Sequence, residues 1–352
     1  MPSPLDQYVI LLFGIILTLI SGKISILLCQ KNKIIDYPGR TSHAIHSIPQ
    51  PLGGGIAIAI SLAVLLLLFR PEFNNEITKI IIPALIIFIF GLIDDKKGLS
   101  ASLKFLGQLL GTILIIISGI RVQIFESTAF FIPILSTWAY WLDIFITLIW
   151  IIGITNAFNL TDSMDGVALG LANIASAFFM LACISSNQPQ LATFSAMLLG
   201  IGLGLSIYNF YPARMFLGDS GAQLLGFIIS IIGIWYTPLV SVNQNSSWFV
   251  PILILGIPIF DTCLVFISRM IKKTPFYAAN LDHTYHRLIA AGLPISRAIY
   301  LIHFFAILLG WVGISLMYLP PLIANILFML CILTAGGIIT YIELKSKVIP
   351  RS

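Results

Sequence analysis

Long apolar runs alternate with short polar segments along almost the whole chain. Most of the runs are about 17–25 residues long, enough for a helix to cross a hydrocarbon core of roughly 30 Å. Because backbone groups in a bilayer must pair within their own segment, the pattern predicts an all-α polytopic integral membrane protein with ten or eleven transmembrane helices. We see no internal repeat, so residues 1–352 form a single transmembrane domain in this interpretation. Eleven runs lie near residues 8–28, 52–69, 77–93, 102–120, 141–155, 166–184, 191–209, 222–240, 248–268, 298–317 and 320–342.

The composition excludes a soluble globular domain. Hydrophobic residues make up 58% of the chain, and the mean hydropathy is +1.01. We expect the first run to be a transmembrane helix rather than a cleaved signal peptide, because Asp6 and no basic residue precedes it.

The distribution of basic residues predicts the orientation. With the N-terminus outside, fifteen Lys and Arg residues fall in cytoplasmic segments, against three on the other side (Arg70, Lys79 and Arg121). This positive-inside bias places the C-terminus in the cytoplasm. The formal net charge of +5 then reflects topology, and we expect no nucleic-acid partner.

In this orientation the polar segments gather on one face. The loops at 29–51, 94–104, 155–166, 209–221 and 269–297 would all be cytoplasmic. Only 9% of the residues are charged, so carboxylates beside apolar runs are unusual. Acids and amides at a bilayer boundary suit a metal ion and a phosphorylated ligand.

Asp94 and Asp95 end the third run. Neighbours on a helix point about 100° apart, so we expect the two carboxylates to have different partners. One would act as a general base or orient a phosphate, and the other would be held by a lysine. Lys104 could reach a diphosphate at the start of the next run. The alternative is a solvated helix end balanced by Lys96 and Lys97.

Asn156, Asn159, Asp162 and Asp165 recur at every third position. On a straight helix, residues three positions apart point about 60° away from each other, so the four side chains would fan out around the helix. We therefore predict a loop that wraps one ligand. The alternative is that Asp165 and Gly166 merely cap the sixth run.

Asp219 precedes the eighth run and is most simply an N-cap when taken alone. Together with Asn209 and Arg214 it could instead hold a divalent cation near a phosphate. Oxygen donors without a Cys/His cluster favour Mg²⁺ or Mn²⁺ over zinc.

His283, His286 and Arg287 lie together in the last large polar loop. We expect phosphate contacts from all three. The alternative is metal binding by the two histidines, which lack a third soft ligand nearby.

Asp261 lies inside the ninth run, after Gly256 and Pro258, which should kink that helix. An acid in a membrane is a functional candidate. The alternative is pairing with freed backbone groups or with Arg269.

Four single cysteines and one histidine lie inside apolar sequence, and we expect these residues to belong to the protein core. The cysteines Cys29, Cys183, Cys263 and Cys331 should be small buried hydrophobes, and His303 a satisfied core histidine.

These blocks together resemble the polyprenyl-phosphate N-acetylhexosamine-1-phosphate transferases, glycosyltransferase family 4, which include the peptidoglycan translocase. The resemblance covers most of the chain. Besides the segments above, it rests on Asp36-Tyr37-Pro38-Gly39-Arg40-Thr41-Ser42-His43, Pro51-Leu52-Gly53-Gly54-Gly55 and His283-Thr284-Tyr285-His286-Arg287-Leu288.

The resemblance implies a role for each matching residue. Asp165 would read the uracil, and Lys104 would bind the diphosphate. The catalytic group would be Asp94, Asp95, Lys104, His283, His286 and Arg287. The substrate-binding group would be Asn156, Asp162, Asp165, Asn209, Arg40 and His43. The metal ligands for Mg²⁺ would be Asp219 and Asn159.

Tyr285 departs from the family pattern, which usually has a third histidine in this loop. The departure argues against a muramoyl-pentapeptide substrate and favours a plain UDP-HexNAc.

The implied activity is transfer of HexNAc-1-phosphate, foremost GlcNAc-1-phosphate, from a UDP-sugar to undecaprenyl phosphate, with release of UMP. UDP-FucNAc and UDP-QuiNAc are the alternative donors. The product would initiate an O-antigen, common antigen or wall teichoic acid at the bacterial inner membrane. Assembly as a homodimer is a further alternative.

A secondary transporter is the alternative from another class. It predicts internal repeats and carboxylates near the middle of the bilayer. The candidate acids other than Asp261 lie at the inner boundary, which favours the transferase.

Overall fold

The computed structural model describes residues 4–38, 48–69, 75–125, 136–236, 248–274 and 282–348. Within these ranges the chain is helical apart from short connections and one ribbon, in which β1 (Ile35–Asp36) pairs antiparallel with β2 (Gln50–Pro51). The helices are α1 (Pro4–Asn32), α2 (Gly54–Leu68), α3 (Asn75–Lys97), α4 (Ala101–Ile117), α5 (Ser136–Thr161), α6 (Val167–Ser185), α7 (Pro189–Asn209), α8 (Gly218–Trp235), α9 (Val250–Ile254), α10 (Gly256–Lys272), α11 (Thr284–Ala290), α12 (Ile295–Leu316) and α13 (Pro321–Val348).

The protein is an all-α polytopic membrane protein. Eight of the described helices are long and apolar enough to cross a membrane. Helices α2 and α4 are shorter apolar helices. The ninth apolar run is broken at Leu255 into α9 and α10, where Gly256 and Pro258 predict a kink.

Several helices extend further into the predicted loops than the polarity of the sequence indicates. Helix α3 continues to Lys97 and α5 to Thr161, so the predicted loop over residues 155–166 is wrong for Asn156 and Asn159. The Asn156 side chain donates to the Ile152 carbonyl at 2.8 Å, within its own helix. A polar side chain satisfied in this way does not end the helix.

Helices α6, α7 and α8 form the buried centre, and α8 packs against both α3 and α5. Gly91 of α3 allows one of these contacts, because a Cβ there would lie 2.5 Å from Ser220 Cα. In contrast, α13 exposes many large apolar side chains, as a lipid-facing helix does.

Cys29 and Cys183 are buried, as predicted. The prediction is wrong for Cys263, which is exposed, and Cys331 is half-buried. In a membrane an apolar side chain needs no protein cover, so hydrophobic sequence does not indicate burial. The half-buried His303 lies 3.4 Å from the Val167 carbonyl oxygen through Nε2.

The ribbon lies beside the start of α8. The Phe216 backbone amide donates to the Pro51 carbonyl at 3.0 Å, and the Gly54 amide donates to the Phe216 carbonyl at 3.0 Å. The segment that opens α2 therefore supports the loop that leads to Gly218 and Asp219.

Candidate active site

Five polar side chains from four helices meet at the start of α8. Asp94 and Asp95 lie in the last turn of α3 and Lys104 in the first turn of α4. Asn159 lies in the last turn of α5 and Asp219 in the first turn of α8. We call these five residues the carboxylate cluster.

Asp95 caps helix α8. Its carboxylate accepts from the Asp219 backbone N–H at 2.7 Å, the Ser220 N–H at 3.1 Å and the Ser220 hydroxyl at 2.5 Å. Negative charge at this end complements the helix dipole. Gly218 makes room, because its φ is +72° and a Cβ would lie 2.8 Å from Asp95 Oδ2. Asp219 as a simple N-cap is therefore wrong, since Asp95 has that role.

Lys104 bridges two carboxylates. Its ammonium pairs with Asp94 Oδ2 and lies 2.5 Å from Asp219 Oδ2. The Leu99 backbone amide donates to Asp94 Oδ1 at 2.5 Å. Asp94 and Asp95 thus have different partners, and the alternative of a solvated helix end is wrong for the buried Asp94.

Asn159 orients Asp219 from the opposite side. Its amide nitrogen donates to Asp219 Oδ1 at 2.7 Å. Both oxygens of Asp219 are therefore fixed, one by Asn159 and one by Lys104. A residue held in this way presents its charge in one direction with little reorganisation.

Asp162 follows α5 and lies within electrostatic reach of the cluster. Its pKa is raised well above the usual range, first by burial and then by the charges of Asp219, Asp95 and Asp165. Burial and like charges crowded in this way disfavour the charged form of Asp162.

The donor chemistry fits a hard divalent cation. Asp94 and Asp219 share the ammonium of Lys104, and the charges of Asp95 and Asp219 also act on Asp162. Within the described ranges no group of three or more His, Cys, Asp or Glu side chains is arranged to hold a metal ion. Mg²⁺ typically uses one or two carboxylates together with water and substrate phosphates, so an incomplete protein shell suits it.

Asn156 does not join the cluster in a hydrogen bond. Its Nδ2 donates to Gln108 Oε1 at 2.7 Å, and Gln108 Nε2 donates to Gln223 Oε1 at 3.1 Å. This amide network joins α4, α5 and α8, three helices that also carry residues of the cluster. Sequence reasoning missed Gln108 and Gln223, although a glutamine inside an apolar run is a signal for such a network.

Asp165 and Asn209 shape the loop between α7 and α8. Asp165 Oδ2 accepts from the Ala213 backbone amide at 3.0 Å, and Asn209 Nδ2 donates to the Met215 carbonyl at 3.1 Å. The N-cap of α6 is Gly166, at a φ of 75°. The alternative of a helix cap is therefore confirmed for Gly166 and wrong for Asp165.

Asp261 holds the start of α11. Its Oδ2 lies 2.8 Å from His283 Nδ1, and its Oδ1 accepts from the Thr284 backbone amide at 2.6 Å. The side chains of Asp261 and His283 are both buried. The contact with His283 is one that sequence reasoning missed.

Arg287 lies in a separate network. Its guanidinium donates to Glu343 at 2.6 Å, to the Ser268 hydroxyl at 2.9 Å and to the Asp282 carbonyl at 3.0 Å. These contacts connect α11 to α13 and α10. The phosphate contact expected of Arg287 stays a prediction, and Glu343 is a partner that the sequence did not indicate.

Tyr285 connects α11 to the turn after α5. Its hydroxyl donates to Ser163 Oγ at 2.6 Å and lies 2.7 Å from His286 Nε2. Two predicted substrate contacts, Arg40 and His43, lie outside the described residues.

Comparison with known proteins gives the family. Residues 77–237, which hold the whole carboxylate cluster, match the model of glycosyl transferase family 4. Over 298 residues the chain is 34% identical to a probable undecaprenyl-phosphate N-acetylglucosaminyl 1-phosphate transferase of Bacillus subtilis, covering 83% of this chain and 79% of that protein. The chain belongs to glycosyl transferase family 4.

Two further relatives show how wide the similarity is. A decaprenyl-phosphate N-acetylglucosaminephosphotransferase of Mycolicibacterium smegmatis is 28% identical, over 77% of this chain and 71% of that protein. A phospho-N-acetylmuramoyl-pentapeptide-transferase of Bacillus mycoides is 31% identical, over 67% of this chain and 74% of that protein.

Proposed function

We propose that this family 4 protein transfers N-acetylhexosamine-1-phosphate, foremost GlcNAc-1-phosphate, from a UDP-sugar to undecaprenyl phosphate. The names of the related proteins support a polyprenyl phosphate as acceptor. The observation that carries the proposal is the carboxylate cluster, where Lys104 bridges Asp94 and Asp219 at the N-terminus of α8. Such a site suits a diphosphate that brings its own cation.

The reaction is a displacement at phosphorus. An oxygen of the lipid phosphate forms a bond to the β-phosphorus of the donor. The bond from that phosphorus to the bridging oxygen breaks, and the bridging oxygen leaves with UMP. Little covalent chemistry is required of the protein, so positioning and charge neutralisation supply most of the rate.

Three residues of the cluster have separate tasks in this proposal. Asp94 orients or deprotonates the lipid phosphate, and Lys104 neutralises charge on the diphosphate. Asp219 holds the divalent cation, Mg²⁺ or Mn²⁺, with Asn159 fixing its direction. When bound, this cation would neutralise the diphosphate and stabilise the leaving UMP.

The donor would lie between the turn after α5 and helix α11. Asp165 in the turn is the candidate contact for uracil, with His283 and His286 on the phosphate side. The link from Tyr285 to Ser163 holds these two elements together. The positive-inside pattern supports a cytoplasmic site in the bacterial inner membrane, which the donor would enter from the cytoplasm. The lipid-linked product would initiate a surface glycan of the O-antigen, common-antigen or teichoic-acid type.

A donor panel tests this proposal. Purified protein is incubated with undecaprenyl phosphate, Mg²⁺ and UDP-GlcNAc, UDP-FucNAc or UDP-QuiNAc in turn, and the lipid product and UMP are measured by mass spectrometry. We expect equal amounts of UMP and lipid-linked sugar diphosphate, highest with UDP-GlcNAc, and none with the Asp219→Ala protein. Lack of product with every UDP-HexNAc would refute the proposal.

A further inference from the structure

A chain of hydrogen bonds crosses from α11 to the end of α5. His286 Nε2 lies 2.7 Å from the Tyr285 hydroxyl, which lies 2.6 Å from Ser163 Oγ. The Ser163 hydroxyl lies 3.1 Å from the Leu160 carbonyl oxygen. Four groups are thus connected by three bonds, and Tyr285 in the middle is 2% exposed.

The direction of this chain follows from its last member. A carbonyl oxygen can only accept, so the Ser163 hydroxyl gives its hydrogen to Leu160. Ser163 must then accept from Tyr285, whose single hydrogen is used in that bond. The remaining contact requires His286 to donate from Nε2 to the Tyr285 oxygen.

Tyr285 keeps the hydrogen that this direction needs. Burial raises the pKa of Tyr285 far above that of an ordinary phenol, and the bond to Ser163 offsets only part of the effect. The residue is therefore a neutral hydroxyl in neutral solution.

Helix α11 is fixed at other points as well. Asp261 holds His283 and the Thr284 backbone amide at its start. Glu343 holds Arg287 in its last turn. Tyr285 alone among these residues connects α11 to the turn that carries Asp162 and Asp165.

We propose that Tyr285 is a positioning residue that fixes His286 in the Nε2–H tautomer and sets the distance between α11 and the turn after α5. Nε2 of His286 is then committed to Tyr285 and does not donate to substrate. The consequence for donor binding rests on the proposed function, whereas the tautomer does not.

The experiment reads the tautomer directly. Full-length protein labelled with ¹⁵N-histidine is studied by NMR about two pH units above the ordinary imidazole pKa of ~6.5. The His286 signal is assigned with His286→Gln. We expect the Nε2–H form in the wild type and a smaller share of this form in Tyr285→Phe. Ser163→Ala should produce the Nδ1–H form, because the Tyr285 hydrogen loses its acceptor and turns to His286 Nε2.

Donor kinetics test the positional role. Tyr285→Phe and Ser163→Ala should each raise the KM for the UDP-sugar about 3- to 10-fold, the effect of one hydrogen bond. The double variant should be no worse than the poorer single variant, because both break one chain. The KM for undecaprenyl phosphate should change less. Tyr236→Phe is the matched control, a buried tyrosine whose hydroxyl contacts Met317 Sδ at 3.2 Å and lies outside this chain.

The outcomes separate the two claims. An Nδ1–H form in the wild type, or an unchanged tautomer in Ser163→Ala, overturns the inference. Equal rises in both substrate KM values, or the same change in Tyr236→Phe, overturns the positional role. If the wild type transfers no sugar phosphate, the proposed function fails, and the NMR result still decides the tautomer.

Discussion

The adjacent residues Asp94 and Asp95 should fail in different ways when each is changed to asparagine. Asp95 accepts three hydrogen bonds from the first turn of α8, two of them from backbone amides. Asp94 accepts from Leu99 and pairs with Lys104, and so makes none of these contacts with α8. The Asp95 variant should lose stability, and the Asp94 variant should lose activity with the fold intact.

The magnitude follows from the bonds lost. Losing a helix cap costs about 1 kcal/mol, and a charge lost from a partly buried helix end costs up to about 2 kcal/mol. An amide oxygen can still accept one bond, so Asp95→Asn should cost about 1–2 kcal/mol. Asp95→Ala leaves the donors unsatisfied and should cost about 2–4 kcal/mol.

Thermal unfolding in detergent measures the difference. At about 2 °C per kcal/mol for a large chain, Tm should fall by about 2–4 °C in Asp95→Asn and about 4–8 °C in Asp95→Ala. Asp94→Asn is the matched control and should stay close to the wild-type Tm. An Asp95→Ala protein with wild-type Tm would refute the capping role, as would an equal loss of Tm in both asparagine variants.

Three further predictions concern the charges of the site. Asp219→Asn should lose nearly all turnover while its Tm stays at the wild-type value, because a neutral amide is a weak ligand for a hard cation. Normal turnover in this variant would exclude Asp219 as a metal ligand. Lys104→Met should bind Mn²⁺ about fivefold more tightly in an EPR titration, corresponding to about 1 kcal/mol, because no ammonium competes for Asp219; weaker binding would contradict this. Glu343→Gln should lower Tm because it removes the charge paired with Arg287, and Arg287→Lys should lower Tm because an ammonium cannot replace all the guanidinium bonds to Glu343, Ser268 and Asp282. Weaker use of the donor with an unchanged Tm in Arg287→Lys alone would indicate a phosphate contact.

The fold could be predicted from the sequence because each membrane-spanning helix corresponds to a long apolar run. The bounds were less predictable, since Asn156 and Asn159 read as loop residues but lie in α5. Asn156 donates to a carbonyl of its own helix, and Asn159 donates to Asp219 on a neighbouring helix. Polar side chains with such partners can lie within a helix and do not require a loop. Such partners depend on tertiary packing.

In the candidate site, too, the residues could be predicted from the sequence, whereas several of their contacts could not. Sequence singled out Asp219 and Lys104, and the structure brings them together. It could not reveal that Asp95 caps α8, because that contact joins residues 124 positions apart. The partner of Asp261 was hidden for the same reason: His283 lies 22 positions along the chain.

The transfer of phosphorus with the sugar is the central claim and can be measured in one reaction. Purified protein receives UDP-GlcNAc labelled with ³²P at the β-phosphate, together with undecaprenyl phosphate and Mg²⁺, and the label is followed between the lipid and aqueous phases. Sugar-1-phosphate transfer predicts that the label enters the lipid phase as UMP forms. Label that stays in the aqueous phase as UDP while the sugar enters the lipid would contradict the account.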